Sequence, residues 1–281
     1  MRITTLIENT ARSESALIPE HGLSLHIAFE NHQLLFDAGA SDAFAKNADW
    51  LGIDLGSVDA AVLSHYHYDH SGGLPRFFER NSRAPVHLKP PPDGECYFRA
   101  FSLIKRYIGV DPDLLSVYAD RFSFVEEESE ILPHAHILPR IHKSYPLPKG
   151  NKHILITKNG EWALDDFKHE LVCVIEDQGN LVALTGCSHS GILNMLETVK
   201  AAYPDRPIKA VVGGFHLTGI PIFNTMAGSK QEVAELGRTL LDYPVEKYYT
   251  GHCTGEKAFR VLKEVMGSRL DSLHTGLCFE I

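Results

Sequence analysis

Residues 63–73 read LSHYHYDHSGG and place three imidazoles and a carboxylate, His65, His67, Asp69 and His70, within six positions. The stretch comes directly after the apolar run DAAVLS (59–64), which is short, bounded by polar residues and therefore reads as a buried strand. The cluster thus falls where a strand gives way to a loop, and Ser71-Gly72-Gly73 leads on towards a helix. Alternate side chains of an extended segment share a face, so His65 and His67 can reach one ion together. Asp69 and His70 come after the bend and can face a second ion nearby. Imidazole nitrogen and carboxylate oxygen suit zinc, iron or manganese. Left without a cation, that many desolvated polar groups next to a buried strand would each need a separate hydrogen-bond partner.

Three further strand ends repeat the arrangement. VALTGCSHSG puts Cys187 and His189 just past an apolar run, AVVGGFHLTG puts His216 after a glycine pair, and KYYTGHCTG puts His252 beside Cys253. Each run is apolar enough to be central in a sheet, and glycine lets the backbone approach closely. Any one of these histidines could be a satisfied structural residue; their shared strand–glycine–histidine setting is what groups them with the 65–70 loop. His21, His26, His87, His134, His136, His142, His153, His169 and His274 lack that setting and stay unassigned, His169 being the nearest to inclusion because it precedes the strand leading to Cys187.

The chain of 281 residues can bury a large core as one domain. Short apolar runs alternate with turns and helices over the first ninety residues and again after residue 150, an α/β pattern of two packed sheets with helices outside. Between Pro90 and about Gly150 the pattern breaks. CYFRAFSLIKRYIGV and PDLLSVYADRF suggest two amphipathic helices, so 90–150 is expected to be a helical insertion covering the active site, with Tyr97, Phe98, Phe101 and Tyr107 available to line a pocket or simply to pack the insertion down.

A net charge of −9, with no Lys/Arg cluster, speaks against a nucleic-acid partner. No apolar stretch approaches the ~20 residues needed to span a bilayer, and the segment MRITTLIENTARSES lacks the apolar core and cleavage site of a signal peptide. Five cysteines, odd in number and without a C-x-x-C pair, favour free thiols in a reducing compartment. The expectation is a cytoplasmic protein with no membrane partner and an unknown oligomeric state.

The run SHYHYDHSGG resembles the signature of the metallo-β-lactamase superfamily, whose fold is an αββα sandwich with a two-metal site at one edge. EHGLSL (20–25), LFDAG (35–39), TGCSHSGI (185–192), GGFHLTG (213–219) and YTGHCTG (249–255) resemble its dihydropterin–ribofuranosylaminobenzene phosphate synthase-like subgroup. The resemblance implies that His65 and His67 bind one metal while Asp69, His70 and His252 bind the other, with Asp37 orienting the ligand loop. The chain departs from the commoner pattern in having Cys187 where a bridging aspartate is usual. In the departing stretch TGCSH, His189 is read as a further ligand of the first metal, with Cys187 ranked behind it. The same resemblance implies a metal-dependent hydrolase that uses a metal-activated hydroxide on a small ester- or phosphoester-type substrate, with one or two divalent ions, zinc first and iron or manganese as alternatives. Asp69 would hold or accept the proton and His216 would hydrogen-bond a substrate oxygen. Two other classes compete: a transferase condensing a dihydropterin diphosphate with an aminobenzene ribofuranosyl phosphate, and a non-catalytic or redox metal protein.

Overall fold

The computed structural model describes residues 1–100, 104–220, 223 and 225–281. In chain order the first half comprises β1 (Arg2–Ile7), β2 (Ser24–Phe29), β3 (His32–Phe36), α1 (Ala43–Trp50), β4 (Ala60–Val62), α2 (Tyr68–Ser71), α3 (Leu74–Arg80), β5 (Val86–Leu88), β6 (Glu95–Ala100), β7 (Ile104–Tyr107), α4 (Leu114–Val117), β8 (Phe122–Phe124), β9 (Ser129–Leu132) and β10 (Ala135–Leu138). The second comprises β11 (Ile154–Lys158), β12 (Glu161–Leu164), β13 (Val172–Asp177), β14 (Asn180–Leu184), α5 (Ile192–Ala202), β15 (Ile208–Val212), α6 (Lys230–Leu241), β16 (Val245–Thr250), α7 (Glu256–Met266), β17 (Leu270–Ser272) and β18 (Cys278–Glu280).

These strands build two seven-stranded sheets, ordered β18-β1-β2-β3-β4-β5-β8 and β17-β16-β15-β14-β13-β10-β9. Period-two alternation decides which side chain goes where. In β3, Leu34 and Phe36 enter the core between the sheets while Leu35 packs outward under α1 and α3 with Phe44, Ala48, Leu74 and Phe77. In β13, Cys173 and Ile175 face the inter-sheet core while Val172 and Val174 face the helix side, where Met195, Val199, Val233, Leu240, Val261 and Leu262 meet them. Strands apolar on both faces need cover on both, and the result is the expected αββα sandwich.

Each half runs its central strands in parallel, β3-β4-β5-β8 in one sheet and β14-β15-β16-β17 in the other. Parallel neighbours need crossovers, supplied by α1, α3, α5, α6 and α7. The C-terminal ends of β3, β4, β14, β15 and β16 consequently open onto one edge of the sandwich. The 173–184 hairpin turns between Asp177 and Asn180.

The stretch 90–150 differs from the expected helical insertion. Strands β6 and β7 pair antiparallel and join β11 and β12 in a separate sheet of order β12-β11-β6-β7. The apolar spacing of CYFRAFSLIKRYIGV is compatible with either period, but its aromatic residues suit a pleated surface and pair across strands. Tyr97 stands opposite Tyr107 with ring centroids 5.5 Å apart, and Tyr97 packs on Trp162 at 5.0 Å. Of the second expected helix only the four-residue α4 and a short 3-10 turn remain. Strands β8, β9 and β10 return to the two large sheets, so residues 122–138 are part of the sandwich and not of an insertion. Phe101 lies outside the described residues.

Candidate metal centre

Asp37 anchors the site. It ends β3 in a left-handed conformation (φ 58°), and its Oδ1 accepts from Ser64 N at 2.8 Å while Oδ2 accepts from Ser64 Oγ at 2.8 Å and from His70 Nδ1 at 2.6 Å. One carboxylate thereby ties the ends of β3 and β4 and the short helix α2. Ser64 Oγ in turn accepts from His65 Nδ1 at 2.8 Å. The glycines that close the signature serve close packing: a Cβ on Gly72 would meet the Ala40 carbonyl oxygen at 2.1 Å, and one on Gly73 the Ala38 carbonyl oxygen at the same distance.

The opposite sheet delivers the remaining groups. Glu170 holds the loop after β14 through its carboxylate, which accepts from His189 N at 2.8 Å and from Ser190 N at 2.6 Å. Asn151 Oδ1 accepts from His189 Nδ1 at 3.2 Å. Beyond β16, Glu8 accepts from His252 N at 2.6 Å, and Asn9 Oδ1 from His252 Nδ1 at 3.0 Å. Ser188, His216 and His252 all take left-handed backbone, with φ of 58°, 46° and 49°. Such conformations in non-glycine residues concentrate where surrounding structure enforces them.

The network assigns the Nδ1 proton of His65, His70, His189 and His252 to a partner outside the cluster, so the Nε2 lone pair of each points inward. His65 Nε2 lies 3.0 Å from His67 Nδ1, and His70 Nε2 lies 3.2 Å from both His252 Nε2 and Cys187 Sγ. His189 Nε2 and His67 Nε2 are buried without any hydrogen-bond partner. Lone pairs that face one another with no proton between them repel; a cation reconciles them. Ligand atoms of His65, His67 and His189 lie within 4.8 Å of one another, as do those of His65, His70 and Cys187, of Cys187, His252 and Cys253, and of His21, Asp69 and His252. The residues present fit a divalent metal.

Electrostatics sort these residues. Burial drives His65 and His189 well below the ordinary imidazole range and His67 down to about 3, leaving them neutral and ready to ligate. Burial pushes His70 the same way, but the Asp37 carboxylate outweighs it and raises the group to about 9, so binding of a cation at Nε2 would displace a proton from it. Burial would raise Asp69, yet the rings of His21 (3.2 Å) and His252 (3.3 Å) close to it hold its carboxyl well below the usual range.

All six residues expected as ligands therefore line one edge, His65, His67 and His189 on one side and Asp69, His70 and His252 on the other. His216 stands over them with its ring 4.1 Å from that of His189 and both ring nitrogens buried and unpartnered. His169 makes structural contacts: its Nδ1 accepts from Tyr66 N at 3.2 Å and its Nε2 donates to Asp165 at 3.1 Å. His21 belongs at the site although its position after no apolar run gave no signal. Its loop docks on the ligand loop, with Leu23 N donating to the Asp69 carbonyl oxygen at 3.2 Å. Glu8 and Glu170 were equally invisible in the sequence, because they act on backbone amides remote along the chain.

A cavity of about 830 Å³ opens above the cluster. Phe98, Ile108, Ile154, Ile220 and Phe259 give it apolar walls, and Arg106, whose guanidinium lies 5.2 Å from the Tyr68 ring, supplies a cation. Of the aromatic residues expected to line it, Phe98 does; Tyr97 and Tyr107 pack on each other within the small sheet.

Residues 18–252 match the family described as the metallo-beta-lactamase superfamily. The chain is 27% identical over 290 aligned residues to the 7,8-dihydropterin-6-methyl-4-(beta-D-ribofuranosyl)-aminobenzene-5'-phosphate synthase of Methanocaldococcus jannaschii, covering 98% of this chain and 95% of that protein. Among solved structures, a metal-dependent hydrolase of the beta-lactamase superfamily superposes with a TM-score of 0.82 at 32% identity, covering 100% of this chain and 99% of the other. Zn(2+)-bound PqqB from Methylobacterium extorquens shares the fold, with a TM-score of 0.60 at 13% identity and 100% of both chains covered.

Proposed function

The chain belongs to the metallo-β-lactamase superfamily, and on that footing we propose that it is a metal-dependent enzyme of hydrolase type, acting on an ester or phosphoester bond of a small organic anion. The observation that carries this reading is the grouping of His65, His67 and His189 and of His21, Asp69 and His252, with His67, Asp69, His189 and His252 lining a largely apolar cavity that also holds Arg106. His65, His67 and His189 would hold one cation and Asp69, His70 and His252 the second. A divalent ion so held would lower the pKa of bound water towards neutrality and would polarise the bond under attack.

The protein's own groups supply the rest. Asp69, kept ionised by His21 and His252, holds or takes up the proton released at the reacting centre. His216 lines the cavity with nitrogens that have no other partner and hydrogen-bonds a substrate oxygen. Arg106 meets the anionic group, while Phe98, Ile108 and Ile154 pack the organic body and exclude water. In this reading the metal is zinc, both positions are filled, the location is the cytoplasm, and neither nucleic acid nor membrane is a partner. Nitrogen and sulfur donors, five free cysteines and the acidic balance support it. Among the described residues no helix is long and apolar enough to cross a membrane.

A transferase reading is favoured by a different observation, the near-complete alignment with the dihydropterin–ribofuranosylaminobenzene phosphate synthase of Methanocaldococcus jannaschii. There the cavity would hold a dihydropterin diphosphate and an aminobenzene ribofuranosyl phosphate together. Turnover of bis-nitrophenyl phosphate, abolished by chelator and restored by zinc, supports hydrolysis. If only the paired pterin and aryl substrates react, the transferase reading replaces it.

A further inference from the structure

Among the five cysteines, Cys96 stands beside Asp165 and His67, whereas Cys187 and Cys253 share the edge where the other histidines converge. Cys173 is a core thiol packed among Ile27, Ile175 and Val182 between the sheets, where sulfur serves as a small apolar group. Cys187 and Cys253 are equally buried but sit against imidazoles. Cys187 Sγ lies 3.2 Å from His70 Nε2, and Cys253 Sγ lies 3.3 Å from the Cys187 carbonyl oxygen. Cys187 is common to two of the ligand sets: its sulfur groups with His65 and His70 on one side, and with His252 and Cys253 on the other. The backbone makes room for the second sulfur as well, since a Cβ on Gly214 would come within 2.3 Å of Cys253 Sγ.

We propose that Cys187 and Cys253 are metal ligands, the Cys187 sulfur shared between the two cation positions and Cys253 a second sulfur donor beside His252. The proposal rests on the metal-centre reading above and adds to it a donor type that no histidine or aspartate supplies. Each thiol gives up its proton to solvent as it ligates, so two thiolates offset much of the charge of two divalent ions. Sulfur also biases the centre towards zinc, cobalt or iron(II) and away from magnesium and manganese, which prefer oxygen. A shared thiolate at Cys187 does for the two positions what a bridging carboxylate would do there.

The test is cobalt(II) loading of the chelated full-length protein, followed by absorption. Visible d–d bands at full stoichiometry accompanied by a near-ultraviolet thiolate-to-cobalt charge-transfer band are expected. The charge-transfer band weakens in Cys187→Ser and in Cys253→Ser and is lost in the double variant. Full cobalt uptake without that band, or a band unchanged in both single variants, overturns the proposal while leaving the metal centre standing. No cobalt uptake at all sinks the metal-centre reading and the proposal with it. X-ray absorption of the zinc-loaded wild type needs no variant: a sulfur shell at about 2.3 Å is expected, and a shell of nitrogen and oxygen alone overturns the assignment.

Discussion

Asp37 and His70 meet at 2.6 Å, Oδ2 to Nδ1, with both side chains out of contact with solvent. The carboxylate fixes which imidazole nitrogen carries the proton and leaves the other facing the cluster. Partners of this kind orient a ligand and raise its basicity.

Asp37→Asn keeps the shape but can present an N–H to the imidazole and reverse its tautomer. It is expected to weaken metal affinity by about 10–100-fold, read by competition with a chromophoric chelator. Wild-type affinity in that variant would show that Asp37 merely links β3 to β4.

His216→Ala should cost about 100-fold in kcat, the scale of a lost donor to a developing oxyanion, while metal content stays at the wild-type level. Loss of metal together with activity would move His216 from the substrate to the ligand set.

Gly72→Ala places a methyl group against the Ala40 carbonyl, and α2 must shift to admit it. The expected loss is about 1–3 kcal/mol in urea unfolding, accompanied by lower metal occupancy because α2 carries Asp69 and His70. Unchanged stability and occupancy would mean that the 38–40 loop yields instead.

Acid should destabilise the fold through histidines remote from the centre. Both ring nitrogens of His87 are buried without partners, and burial lowers its pKa below the ordinary 6.5; His26 is shifted the same way, burial outweighing its bond to Gln33. The folded chain keeps these rings neutral while the unfolded chain protonates them near 6.5. Their stabilisation is therefore complete above that pH and is lost as the pH falls through it towards the folded pKa, where the unfolded state binds more protons. Urea midpoints measured between about pH 7.5 and about pH 5.5 should fall less for His87→Phe than for wild type. Equal slopes would remove His87 from the account.

Cys278 is exposed, whereas Cys96, Cys173, Cys187 and Cys253 are buried, and burial pushes the Cys173 thiol up to about 12. The native protein should react rapidly with Ellman's reagent at a single thiol, and Cys278→Ser should abolish that phase. A rapid phase surviving in the variant would mean that a buried cysteine is reached by solvent.

The sequence displayed the ligand loops well because each comes after a continuous apolar run. DAAVLS, LVALTG, IKAVVGG and VEKYYTG announce central strands, and a histidine just past such a run has few places to go except the rim. Strand β6 was hidden because its partner β11, Ile154–Lys158, lies about fifty residues downstream and local spacing does not name it. His21, Glu8 and Glu170 were hidden for a related reason. Their roles come from a loop docked on Asp69 and from carboxylates that cap the amides of His252 and His189, contacts that join residues distant in the chain.

The donors come from both halves of the molecule: Asp69, His65, His67 and His70 from the first seven-stranded sheet, His189 and His252 from the second. An ion gripped by both would be a clasp across the seam of the sandwich at its rim. Binding free energy at that rim would then count as cohesion between the halves, and growing conditions poor in metal would loosen the seam at the same time as they stop the chemistry.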